Sequence, residues 1–69
     1  MSWMSQVFSS NVQEIGWDEQ QGLIVVWKSG KRSAYAGVDE ETALQCSKAA
    51  SVGGFLNSEI KPNFGHRYI

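Results

Sequence analysis

The stretch Gly22-Leu-Ile-Val-Val-Trp-Lys-Ser-Gly-Lys-Arg-Ser-Ala-Tyr-Ala-Gly-Val38 constrains the fold most, because it holds the one dense run of β-branched and aromatic residues together with one turn signal. Two hairpins are compatible with it. A two-residue Ser29-Gly30 turn puts Trp27 opposite Arg32. A three-residue Lys28-Ser29-Gly30 loop, with Gly30 left-handed as a G1 bulge, puts Leu23, Val25 and Trp27 on one face with Ser33 and Tyr35. The second gathers most of the large apolar groups on one side and is the expected form.

Sixty-nine residues make one domain, 1–69. A chain of that size buries only about 60% of the surface its unfolded form exposes, so its core needs a supplement. Cys46 is the single cysteine and His66 the single histidine, which excludes an internal disulfide and a zinc site of several Cys/His ligands. Association remains, and a homo-oligomer is expected. One unpaired cysteine, and a start that lacks the basic and apolar regions of a secretory signal, point to the cytoplasm. No apolar run is long enough for a membrane span. Six basic against seven acidic side chains suit a long nucleic-acid duplex poorly, whereas a compact anionic ligand needs only two or three cations.

Residues 1–6 read as a loose terminus in which Trp3 and Met4 either fold back on the core or touch another subunit. Val12–Trp17 reads as a first strand, with Gly16 marking a bulge and Asp18 to Gly22 turning back into the hairpin. The hairpin supplies strands at Leu23–Lys28 and Lys31–Ala36. After Val38 the period changes. Asp39 is a good N-cap, Glu40 and Glu41 suit the positive end of the helix dipole, and a helix is predicted to Ala50 with Ala43, Leu44, Ser47 and Ala50 inward. Ser51 caps a second helix whose Val52, Leu56 and Ile60 recur every four residues. Gly53 and Gly54 weaken it, so either close backbone packing, the preferred reading, or a ligand at the exposed amides should compensate. Pro62 ends the helix and leaves 62–69 as a docking tail. The expected fold is α+β: a three-stranded antiparallel β-meander followed by two α-helices packed on the sheet.

A strand ending Ile15-Gly-Trp-Asp18, a hairpin of the form Leu-x-Val-x-Trp-x-x-Gly, a tyrosine before Val38, and Ala50-Ser-x-Gly-x-Phe-x-Asn-x-x-Ile60 follow one another in this order. The combination resembles the KTSC domain, found at the C-terminus of some lysyl-tRNA synthetases and as free-standing small proteins of bacteria and phages. Two positions depart from its pattern: the Tyr-x-Tyr of the family is Ser33-Ala34-Tyr35 here, and the proline after the valine is Asp39. The resemblance implies a small sheet-and-helix module without established catalysis, for which RNA binding has been suggested from its attachment to a synthetase.

Catalysis needs partners within hydrogen-bond reach in a cleft. His66 with a serine is weighed against a docking histidine, Glu40 with Glu41 against dipole compensation, and Cys46 against a small core residue; in each case the structural role is preferred. No enzyme, no cofactor and no metal are expected. Cations are more suggestive, because Lys28, Lys31 and Arg32 cluster at the hairpin tip and Lys61, His66 and Arg67 follow the second helix. If the two clusters converge, they make a pocket with aromatic walls available from Trp17, Tyr35, Phe64 or Tyr68; otherwise they are a solvated tip and a packed tail. The candidate ligand contacts are Arg32, Tyr35, Lys61, His66 and Arg67, joined by Ser51, Gly53 and Asn57 of the second helix. So short a chain has no material for an enclosed hole as well as a core, so an enclosed site is expected between subunits. The leading expectation is non-catalytic recognition of a nucleotide-type ligand at an oligomer interface; in a phage protein this would be sequestration of a nucleotide signal of host defence. An RNA-binding accessory module is the alternative, and a structural or protein-interaction domain the second.

Overall fold

In the computed structural model, which describes residues 2–69, the hairpin is the middle of a five-stranded antiparallel sheet. Its strands are β1 (Trp3–Gln6), β2 (Val12–Asp18), β3 (Gly22–Trp27), β4 (Arg32–Tyr35) and β5 (His66–Tyr68), in spatial order β1-β2-β3-β4-β5. The three expected strands are present and two more flank them. The loose terminus is corrected to an edge strand from Trp3 on, Met1 lying outside the described residues, and the tail is corrected to β5 at the other edge. Neither segment carries a β pattern of its own. Their strand form comes from pairing with β2 and β4, a long-range effect that local periodicity does not encode.

The G1-bulge register holds. Trp27 N–H donates to the Lys31 carbonyl and Gly30 N–H to the Trp27 carbonyl, both at 2.9 Å, with Gly30 at φ +95°. Leu23 then faces Tyr35 and Val25 faces Ser33. The bulge expected at Gly16 lies instead between Val12 and Glu14. Gly16 has another reason to be glycine, since a Cβ there would run into the Met4 sulfur and the Trp3 carbonyl of β1. At the β2–β3 turn Asp18 Oδ2 accepts from Gln20 N (2.9 Å) and Gln21 N (3.1 Å), and Gly22 takes φ +83°.

Both helices cover one face. Asp39 caps α1 (Glu40–Ser47), its Oδ1 accepting from Thr42 N at 3.1 Å, and hydrogen bonding from the Thr42 side chain, then from its backbone N–H, lowers the carboxyl pKa. The inward residues of α1 are Ala43 and Cys46, whereas Leu44 and Ala50, expected inside, are exposed. The helix ends at Ser47, so Ala50 never reaches its inner stripe. Ser51 caps α2 (Val52–Phe55), which continues as a π-helical turn over Leu56–Ile60. On an α-helix an i, i+4 repeat drifts by about 40° per step. The wider turn, closed by Lys61 N–H to the Leu56 carbonyl at 2.8 Å, rotates less per residue and counters that drift. Val52, Leu56 and Ile60 therefore all reach the core with Val12, Ile15, Leu23, Val25, Tyr35 and Val38. Close backbone packing at the two glycines is not found: a Cβ at Gly53 would meet nothing within 4 Å, and one at Gly54 would crowd only the Ser51 side chain.

Candidate ligand-binding groove

Pairing of β4 with β5 sets His66 opposite Tyr35 and Tyr68 opposite Ser33, all on the helix-covered face. The helices stop short of this edge, and the face there is open. Ser33 is fully buried, yet its hydroxyl is used twice: the Trp27 indole N–H donates to Oγ at 2.8 Å, and His66 Nε2 lies 2.8 Å from the same oxygen. The hydroxyl has one proton and two lone pairs, so beside the indole it can either donate to an unprotonated Nε2 or accept from a protonated one, according to the imidazole tautomer. The His66 ring is further held between Tyr35 (centroids 5.1 Å apart) and Tyr68 (4.7 Å, edge-on). Burial, and then the neighbouring Tyr68 phenol, push the Tyr35 pKa above its ordinary value.

Two ammonium groups complete the arrangement. Lys61 Nζ stands 5.8 Å from the centroid of the Trp27 ring and Lys31 Nζ 5.8 Å from that of Tyr68, both within cation–π range. Trp27, Ser33, Tyr35, Lys61, His66 and Tyr68 line a hollow of about 330 Å³. Past Tyr68 and Lys31 it adjoins two more, of about 370 Å³ beside Asn11, Lys28 and Ser29 and about 460 Å³ beside Gly30, Arg32 and Ile69. The result is a surface groove with aromatic walls and lysines on both sides of Tyr68.

A family model described as the KTSC domain matches residues 8–64. The chain belongs to the KTSC domain family. The crystal structure of a KTSC domain protein from Yersinia pestis superimposes with a TM-score of 0.85 at 28% identity, covering 100% of this chain and 99% of that one. No curated protein matches the chain. Among the described residues of this KTSC domain no three His, Cys, Asp or Glu side chains gather as a metal site, and no helix is long and apolar enough to cross a membrane.

Of the residues singled out in the sequence, the KTSC fold brings Tyr35, Lys61 and His66 together. Arg32 and Arg67 alternate onto the opposite face of the sheet, so each cationic cluster brings a lysine to this edge, Lys31 over Tyr68 and Lys61 over Trp27, and Arg32 reaches the groove only at its outer end. Ser51, Gly53 and Asn57 are not in the groove; the Ser51 hydroxyl accepts from Gly54 N at 3.2 Å and serves the helix. Trp17 is not a wall either, because its indole N–H donates to the Val38 carbonyl at 2.9 Å, and Phe64 packs on the core. Sequence reasoning missed Trp27 and Ser33 as groove residues. The bulged register already put them on one face with Tyr35, and that was the available signal.

Proposed function

We propose that this domain binds a nucleotide-type anionic ligand in the groove, without catalysis. The observation that carries the reading is a pair of lysines held over aromatic rings, Lys61 over Trp27 in the wall of the hollow and Lys31 over Tyr68 at its edge. An ammonium group there attracts phosphate, and an exposed tyrosine ring offers a stacking surface for a base. Ser33 and His66 have the separation of a nucleophile and its base. The serine is buried and already accepts the Trp27 N–H, and no carboxylate is bonded to His66 among the described residues; the pair is better suited to fixing the ring than to attack.

Trp27 forms a wall of the groove, so its emission reports occupancy. Titration with ADP, cyclic AMP and a cyclic dinucleotide, followed by tryptophan fluorescence and calorimetry, is expected to give saturable binding to at least one. No heat and no change in emission with all three would reject the reading. The three hollows that share Tyr68 as a wall favour a second reading, a short single-stranded RNA laid across them. It requires a complex whose affinity falls steeply with salt, and a gel-shift series on tRNA without one removes it.

A further inference from the structure

The helices cover one face of the sheet; the other carries no layer. Besides Asp18 opposite Gly22 at one end, its side chains stand in two longer rows fixed by the register. One runs Met4, Gly16, Ile24, Ala34, Arg67 and the other Gln6, Glu14, Val26, Arg32. In both rows the middle residue lies on β3 and is only half-buried, and in the first it is flanked by the small Gly16 and Ala34. Ile24 and Val26 thus form a ridge along the central strand, with Met4 and Ile69 exposed toward the margins. The charges are divided by side: Glu14 on β2, Arg32 on β4 and Arg67 on β5.

We propose that a second copy of this chain docks on this face, across a two-fold axis running along β3. That operation exchanges β2 with β4 and β1 with β5, and it leaves each row at its own level. Ile24 meets Ile24 and Val26 meets Val26 on the axis. Glu14, about one strand spacing of 4.8 Å to one side, is set over Arg32 of the partner subunit, and Arg32 over the partner's Glu14. Met4 lies over the partner's Arg67, whose aliphatic stem can pack on it. A two-fold axis across the strands would instead stack β2 on β2 and β4 on β4, so Glu14 would never face the partner's Arg32. The charge distribution therefore selects the first geometry, an isologous contact of two sheets packed face to face. A stable interface takes about 800 Å² from each partner, near a fifth of the 4305 Å² this chain exposes. The hollow lined by Trp27, Tyr35, Lys61 and His66 stays on the outer side of both copies, whereas the one beside Arg32 and Ile69 borders the docking face; the test is read without a ligand.

The test is a charge exchange read by sedimentation velocity over a range of protein concentrations and salt. The wild-type chain is expected to be a dimer that weakens with salt. Glu14→Arg and Arg32→Glu should each raise the dissociation constant roughly a hundredfold, since each replaces two attractive contacts with two like-charge ones. An equimolar mixture of the two variants should recover the dimer, because the two arginines that the first variant carries at these positions then face the two glutamates of the second. Circular dichroism checks that both variants are folded, and should either not be, Glu14→Gln and Arg32→Gln with the salt series replace them. A wild-type chain that stays monomeric overturns the proposal and leaves the face to a different partner. A dimer that survives both single changes, or variants that fail to recover it on mixing, overturn it as well.

Discussion

Ser33 Oγ and His66 Nε2 are 2.8 Å apart across 33 positions of sequence, and the same oxygen receives the Trp27 indole N–H. One buried hydroxyl thereby ties β3, β4 and β5 together at the edge where the groove opens. Ser33→Ala strips the Trp27 N–H and the imidazole of their partner, and an unpaired, partly buried polar group costs about 1–3 kcal/mol. For a domain of this size the melting temperature should fall by roughly 4–8 °C per kcal/mol. Trp27→Phe removes the donor and keeps an aromatic ring. In the double variant the two losses should be less than additive, and thermal melts of all four proteins complete the cycle.

The glycines give a contrast of sign. Gly53 has an ordinary helical backbone and open space where a Cβ would go, so Gly53→Ala should stabilise the fold by about 0.4–1 kcal/mol through the unfolded chain. Gly22 has φ +83°, and a Cβ there would strike the Tyr35 carbonyl oxygen. Gly22→Ala should therefore destabilise by more than about 1 kcal/mol. Urea unfolding of the two variants beside the wild type checks both signs, and a Gly53→Ala chain that is less stable than wild type would contradict the open space.

The hairpin, both helix caps and the Val52, Leu56, Ile60 stripe were legible because each is encoded within a few residues. The edge strands were not. Trp3–Gln6 and His66–Tyr68 have no local β pattern, and they become strands by pairing with β2 and β4. That gap propagated to the site: without β5, nothing in the chain shows that His66 stands opposite Tyr35 on the face away from Arg67. The inner face of α1 was misjudged for a similar reason. Leu44 is the larger side chain, but Cys46 lies at the spacing from Ala43 that turns it to the sheet.

If the groove binds an anion, its lysines should matter unequally to those elsewhere. Lys61→Gln removes the one lysine that lines the hollow beside Trp27 and should weaken binding of a nucleotide by about ten- to a hundredfold, the value of a charge-assisted hydrogen bond. Lys48→Gln, at the end of α1 away from the groove, should leave the affinity unchanged. Ser33→Tyr, which would fill the hollow, should abolish binding in a folded protein. Calorimetry on the three variants separates a groove ligand from general attraction to the surface, which would weaken equally for either lysine.

Cys46 is fully buried in the core, and burial pushes its thiol from an ordinary 9.0 up to about 11. The folded state therefore holds its proton where the unfolded chain has already lost it. Between about pH 9 and 11 the unfolded state binds fewer protons than the folded one, so the free energy of unfolding decreases with pH across that window and is unaffected by this group below it. Tyr35, whose pKa is also raised, contributes in the same direction at higher pH. Denaturant melts from pH 7 to 11 should show the decline, and Cys46→Ala should flatten its lower part while leaving the tyrosine contribution. The same burial makes the thiolate scarce near pH 8 in the folded chain. A disulfide reagent at that pH should react with Cys46 only as fast as the domain opens, and at full rate once urea unfolds it; prompt labelling of the native protein would place the thiol outside the core.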